Sequence, residues 1–320
     1  MRTLIMLEVL GVLMAASVGA AAPVTVTFQI NDSYVKDKVI ANVRIGVAAV
    51  EDGPLVAEGT TDAEGLLRLS LEPGDYFVTY ETPGYVPINK SPIRVGSAPL
   101  TITTTLTIMM EDIGTGTHAR IQIVLNWGSR TEDQVADIDA HLLCPCKAGS
   151  AHTYYASQLH DAGNHSTALD VDDRDWGGPE TTTITDPVQG TYYYWVYDYS
   201  GGGNAKLGTS DVVVRVVVND RVAGEYRVPG NVEERFWRPF KELVIEPAKE
   251  PQIVAFSPED LATGLDRQAP PVENWPPTSS LTEGTSPLQS SIWRTALWIS
   301  AIVSVVIFLM IQRRRRRRGR

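Results

Sequence analysis

Cysteine is almost absent from this sequence. Its 320 residues hold two, Cys144 and Cys146, with Pro145 between them. That excludes a disulfide-stapled scaffold, so a hydrophobic core has to carry the stability. Basic residues are also scarce, 28 against 38 acidic, and the unbroken run Arg313 to Arg318 takes a share of them. The remainder is strongly acidic, which repels nucleic acid and anionic lipid and suits divalent cations or basic partners. No helical period appears between Val24 and Met110. No nucleophile–base spacing stands out either, so no catalytic residue is assigned.

Long apolar runs occur only at the two ends. Leu4 to Val18 follows Met1-Arg2 and precedes the small residues Gly19 to Ala22, the pattern of a cleaved signal peptide over residues 1–22. Near the other end, Thr295 to Ile311 carries no charge and is about 26 Å long as a helix. Trp293 and Trp298 precede the arginine block, and such a block favours the cytoplasmic side of a membrane. The sequence therefore predicts a single transmembrane helix over 291–312, a cytoplasmic tail over 313–320, and everything between held outside at the cell membrane. A processed C-terminal sorting signal is the alternative for the same residues.

The exported part reads as all-β, with two β-sandwich domains in tandem over 23–112 and 118–247. A disordered acidic stalk rich in Pro, Ser and Thr is expected over 248–290. Val24 to Ile30 and Val39 to Val47 alternate with period two, as half-buried strands do. Turns follow at Glu51-Asp52-Gly53-Pro54, Thr61-Asp62-Ala63-Glu64-Gly65, Pro73-Gly74 and Pro83-Gly84. The Thr61 to Gly65 turn, the Leu67 to Leu71 strand, Glu72-Pro73-Gly74-Asp75-Tyr76 and Pro83-Gly84-Tyr85 resemble the carboxypeptidase regulatory-like, or transthyretin-like, sandwich. That resemblance implies a spacer or adhesive module without chemistry of its own.

In the second domain, Asp137, Asp139 and His141 alternate on one strand and so share a face. Asp170, Asp172 and Asp173 follow, then Gly177-Gly178-Pro179-Glu180. Such crowding of carboxylates calls for solvent, arginine or a cation, and oxygen donors of this kind suit calcium. One histidine is too few nitrogen donors for a zinc site. The competing readings are acids that cap turns, or a surface for a basic or sugar ligand. The order of Asp137-Ile138-Asp139-Ala140-His141-Leu142, Leu169-Asp170-Val171-Asp172, Gly178-Pro179-Glu180 and Gly190-Thr191-Tyr192 is similar to the YfaP-like family, a domain of unknown function (DUF2135). The likeness implies an exported β module and marks Asp137, Asp139, His141, Asp170, Asp172 and Glu180 for attention. It implies no reaction. The stretch His152 to His165 and the pair Asp175-Trp176 depart from the family pattern.

Two further features stand apart. Cys144-Pro145-Cys146 is read as a local disulfide, with a buried dithiol, metal ligation and redox work as alternatives. The run Tyr192 to Tyr199 would place Tyr193, Trp195, Tyr197 and Tyr199 on one face of a strand. With Trp176 they form either a stacking surface for carbohydrate or a protein partner, or a face covered by a loop. The resulting expectation is a membrane-anchored binding or scaffolding protein at the surface or in the periplasm. Its rivals are an accessory subunit of an envelope assembly and a metal-dependent hydrolase using the Asp/His cluster.

Overall fold

A computed structural model describes residues 22–109, 119–128, 134–146, 149–174, 177–201 and 205–269. The first sandwich runs β1 (Val24–Asp32), β2 (Arg44–Ala48), β3 (Leu55–Thr60), β4 (Leu66–Leu71), β5 (Gly74–Glu81), β6 (Ile88–Val95) and β7 (Leu100–Leu106). Its sheets are ordered β4-β1-β7 and β3-β2-β5-β6. The alternation in β1 sends Val26, Phe28 and Ile30 inward, all fully buried, against Ile45, Val47, Val78 and Tyr80 of the facing sheet. Phe28 meets Tyr80 edge to face at 6.3 Å. The turn into β4 closes because the Asp62 carboxylate accepts from the backbone amides of Glu64 and Leu66, with Gly65 at φ +72°.

The second sandwich contains β8 (Arg120–Asn126), β9 (Ile138–Cys146), β10 (Gly149–Thr153), β11 (Leu159–Asp161), β12 (Ser166–Val171) and β13 (Glu180–Thr185). It continues with β14 (Gly190–Asp198), β15 (Val213–Val218), β16 (Arg221–Arg227), β17 (Phe236–Trp237), β18 (Glu242–Ile245) and β19 (Gln252–Val254). One sheet is ordered β11-β12-β13-β8-β15-β16 and the other β10-β9-β14-β18-β19, with β17 paired to β14. Between them, Ile121, Ile123 and Leu125 of β8 pack with Ile138, Ala140 and Leu142 of β9 and with Tyr192 and Tyr194 of β14.

The two sandwiches are not beads on a flexible joint. Described residues up to Gln268 belong to one compact unit. The contact between the two cores is polar and largely buried. Arg215, 5% exposed, donates to Glu225 at 2.7 Å and to the Thr105 carbonyl at 3.2 Å. Glu225 also accepts from Ser91 at 3.0 Å and from Arg227 at 2.9 Å. Asn126 donates to Thr105 Oγ1 at 2.6 Å, and Val222 packs against the first core.

Several expectations are corrected here. The first part of the expected disordered stalk is folded onto the second sandwich. β19 pairs with β18, and a one-turn helix, α1 (Pro258–Ala262), starts from a capping box between Ser257 and Asp260. Polar, proline-rich composition concealed these short elements, which are held by pairing with β18, by Ile253 against the second core and by the Trp195 indole on the Gln268 carbonyl. No helix among the described residues is long and apolar enough to cross a membrane, α1 being one turn. The expected signal peptide, transmembrane helix 291–312 and arginine tail lie outside the described residues. The fold is all-β and multi-sheet, and the single-pass anchor has no counterpart among the described residues. The membrane as partner, the cell-membrane location and the membrane-displayed receptor are set aside with that anchor.

The local disulfide is also corrected. Cys144 is buried and takes part in no disulfide, its Sγ lying 3.9 Å from Thr167 Oγ1. Cys144 and Cys146 are two apart on the extended strand β9, which keeps their Cα atoms about 6.5–7 Å apart, too wide for an unstrained bridge.

Candidate metal centre

Strand pairing creates the site. β10 covers the edge of β9 only from Leu142 to Cys146, whereas β14 runs along its other edge from Ile138 to Leu143. The uncovered edge at Ala140 would leave a buried amide without a partner. Glu180, the first residue of β13 in the opposite sheet, fills that gap. Its Oε2 accepts from Ala140 N at 2.5 Å.

Glu180 is aimed inward by the turn before it. Gly177 and Gly178 take φ of +103° and +70°, and a Cβ on Gly178 would lie 2.8 Å from the Trp127 ring. Trp127 is 2% exposed and donates its indole N–H to the Ala136 carbonyl. The turn is therefore pressed against a fixed aromatic wall. Asp172 arrives from the end of β12, where a bulge at Asp170 shifts the register between Leu169 and Val171.

The result is a trio of carboxylates. Asp139, Asp172 and Glu180 each offer an oxygen, and these oxygens lie within 4.8 Å of one another. Glu180 is fully buried and Asp139 is 3% exposed. Neither Glu180 Oε1 nor Asp139 Oδ2 accepts a hydrogen bond. Asp172, its side chain 14% exposed, accepts from Gln158 Nε2 at 3.2 Å and lies 3.7 Å from Arg174. Burial, with the neighbouring carboxylates adding to it, pushes Glu180 and Asp139 well above the usual carboxylate range. Burial also raises Asp172, against the pull of Arg174 and Lys36. Three acids in this state demand either protons or a cation.

Of the residues marked from sequence, the structure brings together Asp139, Asp172 and Glu180. Asp137 is near enough for its charge to raise both Asp139 and Glu180. Asp170 turns away to accept from the Thr183 hydroxyl, and burial pushes its carboxyl up to about 6. His141 is fully buried at the edge of the trio. Its Nδ1 is 2.9 Å from His152 Nε2, and its ring stacks on Tyr154 at 5.4 Å. Burial holds both imidazoles down, His152 to about 4, so His141 is neutral and its 3.8 Å approach to Asp139 is no ion pair. The sequence did not point to Gln158, Asp198 or His152 as neighbours of the site. His152 and Gln158 carried a signal, lying in the stretch His152 to His165 that departs from the family pattern.

The aromatic face is closed. Trp195 and Tyr197 are 2% and 3% exposed. Arg238 lies over Trp195 at 4.8 Å and over Tyr193 at 5.5 Å, with Phe256 on its other side at 5.2 Å. Trp195 donates to the Gln268 carbonyl, and Arg235 lies over Tyr197 at 4.8 Å. Tyr199 packs edge-on to Tyr155. The segment expected to be a stalk thus helps cover Trp195, part of the surface expected to stack on carbohydrate. Trp176 lies outside the described residues.

No family model matches the chain, and no curated protein matches it. Among solved structures, SAV2460, a protein of unknown function, is 13% identical and aligns 43% of this chain with 86% of its own, at a TM-score of 0.34. A DUF3823 family protein from Parabacteroides merdae is 9% identical, over 65% of this chain and 99% of its own, at 0.23. The major pilin SpaD of Corynebacterium diphtheriae is 9% identical, over 72% and 71%, also at 0.23. These likenesses are distant, and no family is assigned from them.

Proposed function

We propose that the second sandwich is a divalent-cation module, with calcium as its ion, in a non-catalytic accessory subunit of a larger assembly. The observation that carries this reading is Glu180. It is a fully buried carboxylate with one oxygen on Ala140 N and the other accepting nothing, beside Asp139 and Asp172. A hard cation converts mutual repulsion into ligation, and an all-oxygen donor set selects calcium or magnesium over softer metals. Calcium suits the irregular arrangement better, because magnesium demands near-ideal octahedral geometry.

Burial argues for a structural ion over the hydrolase alternative. A catalytic metal keeps an open position that substrate can reach. Here Glu180, Asp139 and His141 are enclosed, and His141 is committed to His152. The ion would pin β9 to β12 and β13 and so bind the two sheets at that end. The accessory role draws support from the locked pair of sandwiches and the acidic balance of the chain, which suits a basic partner. Isothermal titration of the purified protein with calcium after chelator treatment tests the reading. One site per chain is expected; no heat at millimolar calcium contradicts it.

A further inference from the structure

The trio has a neighbour from the other sandwich. Between β1 and β2 the chain forms a loop whose base is organised by Asp32. This buried carboxylate accepts from the backbone amides of Tyr34 and Val35, at 2.7 and 3.1 Å. It also accepts from Lys38 Nζ and from the Tyr85 hydroxyl, both at 2.7 Å. A loop so held presents its tip in a defined place. That tip carries Lys36, whose Nζ lies 2.9 Å from Oδ1 of Asp173, a residue 5% exposed. Asp173 directly follows Asp172. Tyr34 on the same loop is close enough to Asp170 that this charge, after burial, raises its phenol. The first sandwich therefore delivers one fixed positive charge to the rim of the carboxylate trio.

We infer that Lys36 sets the affinity and valence preference of the cation site, opposing each ion in proportion to the charge that ion carries. The inference rests on the cation-site reading of Asp139, Asp172 and Glu180. Its physical basis is Coulombic. A fixed charge imposes one potential at the site, and an ion of charge z meets a penalty z times that potential. Reach to the site follows from position, since Lys36 Nζ is held 2.9 Å from the carboxylate of Asp173, the residue next to Asp172. Linkage makes the effect mutual, so an occupied site loosens the hold of Asp173 on the loop.

The valence dependence gives a test that a merely structural lysine would fail. Calcium and a trivalent lanthanide of similar radius are titrated calorimetrically into the full chain, into Lys36→Gln and into Lys36→Arg. Lys36→Gln should bind calcium about three- to ten-fold more tightly. Its lanthanide affinity should rise further, the two logarithmic gains standing near the charge ratio of three to two. Lys36→Arg, which keeps the charge, should match the parent for both ions. Lys36 has a side chain about one-third exposed, so neither variant threatens the core. Unchanged calcium affinity in Lys36→Gln overturns the inference while leaving the site intact. Equal gains for the two ions also overturn it, since they would mark a change in site geometry. If the parent chain binds neither ion, the inference falls together with the site.

Discussion

Replacing Glu180 by Gln should change the sign of its effect on stability according to whether calcium is present. The substitution keeps volume and shape and removes one charge from a fully buried group. The amide oxygen can still accept from Ala140 N, and the new NH2 can donate to a neighbouring carboxylate, so no buried polar atom is stranded. In chelator, the change relieves repulsion with Asp139 and Asp172, worth about 1–2 kcal/mol. For a fold of this size each kcal/mol shifts Tm by about 2–4 °C, so E180Q should melt a few degrees above the parent. With calcium at 100 times Kd, the parent gains about 2.7 kcal/mol from binding, or roughly 5–10 °C. E180Q should gain little or nothing, and the order of the two melting curves should invert. Scanning calorimetry of both proteins, in chelator and in calcium, reads all four values. Equal calcium stabilisation of parent and E180Q would refute the reasoning, as would a variant several kcal/mol less stable in chelator.

Three further perturbations address the frame around the site. Burial pushes Glu225 up, but Arg215, Arg227 and Ser91 outweigh it and hold the carboxyl below its usual 4.5. Its contribution is therefore complete above the unfolded pKa and lost as pH falls through the lower folded value. Acid melts should show this slope, and E225Q should flatten it while costing about 2–4 kcal/mol at pH 7, because Arg215 stays buried. Gly178→Ala should cost about 2–4 kcal/mol by denaturant unfolding, from φ +70° and the 2.8 Å approach to Trp127. It should also weaken calcium binding, because it displaces Glu180. Arg238→Ala should cost about 1–3 kcal/mol and raise dye binding to exposed aromatic surface, since Arg238 joins Trp195 and Tyr193 to Phe256.

The strands were legible where side-chain alternation is strict. Val24 to Ile30 announces β1, and the Thr61 to Gly65 turn announces the start of β4, because both patterns follow from local backbone chemistry. All three carboxylates of the site were legible as composition, but which of the marked residues would meet was not. Asp170 and Asp172 look alike in sequence, yet a bulge sends one to Thr183 and the other to the trio. His141 shares a strand with Asp139, but its partner His152 comes from β10 and could not be read from spacing. The covered aromatic face failed for a related reason. Burial of Trp195 depends on a short segment, Gln252 to Gln268, whose docking comes from tertiary contact. Lys36 carried no signal, because its meaning depends on how one sandwich meets the other.

Diffraction from crystals grown with calcium would locate the ion by its anomalous signal. The account predicts one peak bonded to oxygens of Asp139, Asp172 and Glu180 at about 2.3–2.6 Å. The same three carboxylates refined with no ion among them, in millimolar calcium at neutral pH, would contradict it.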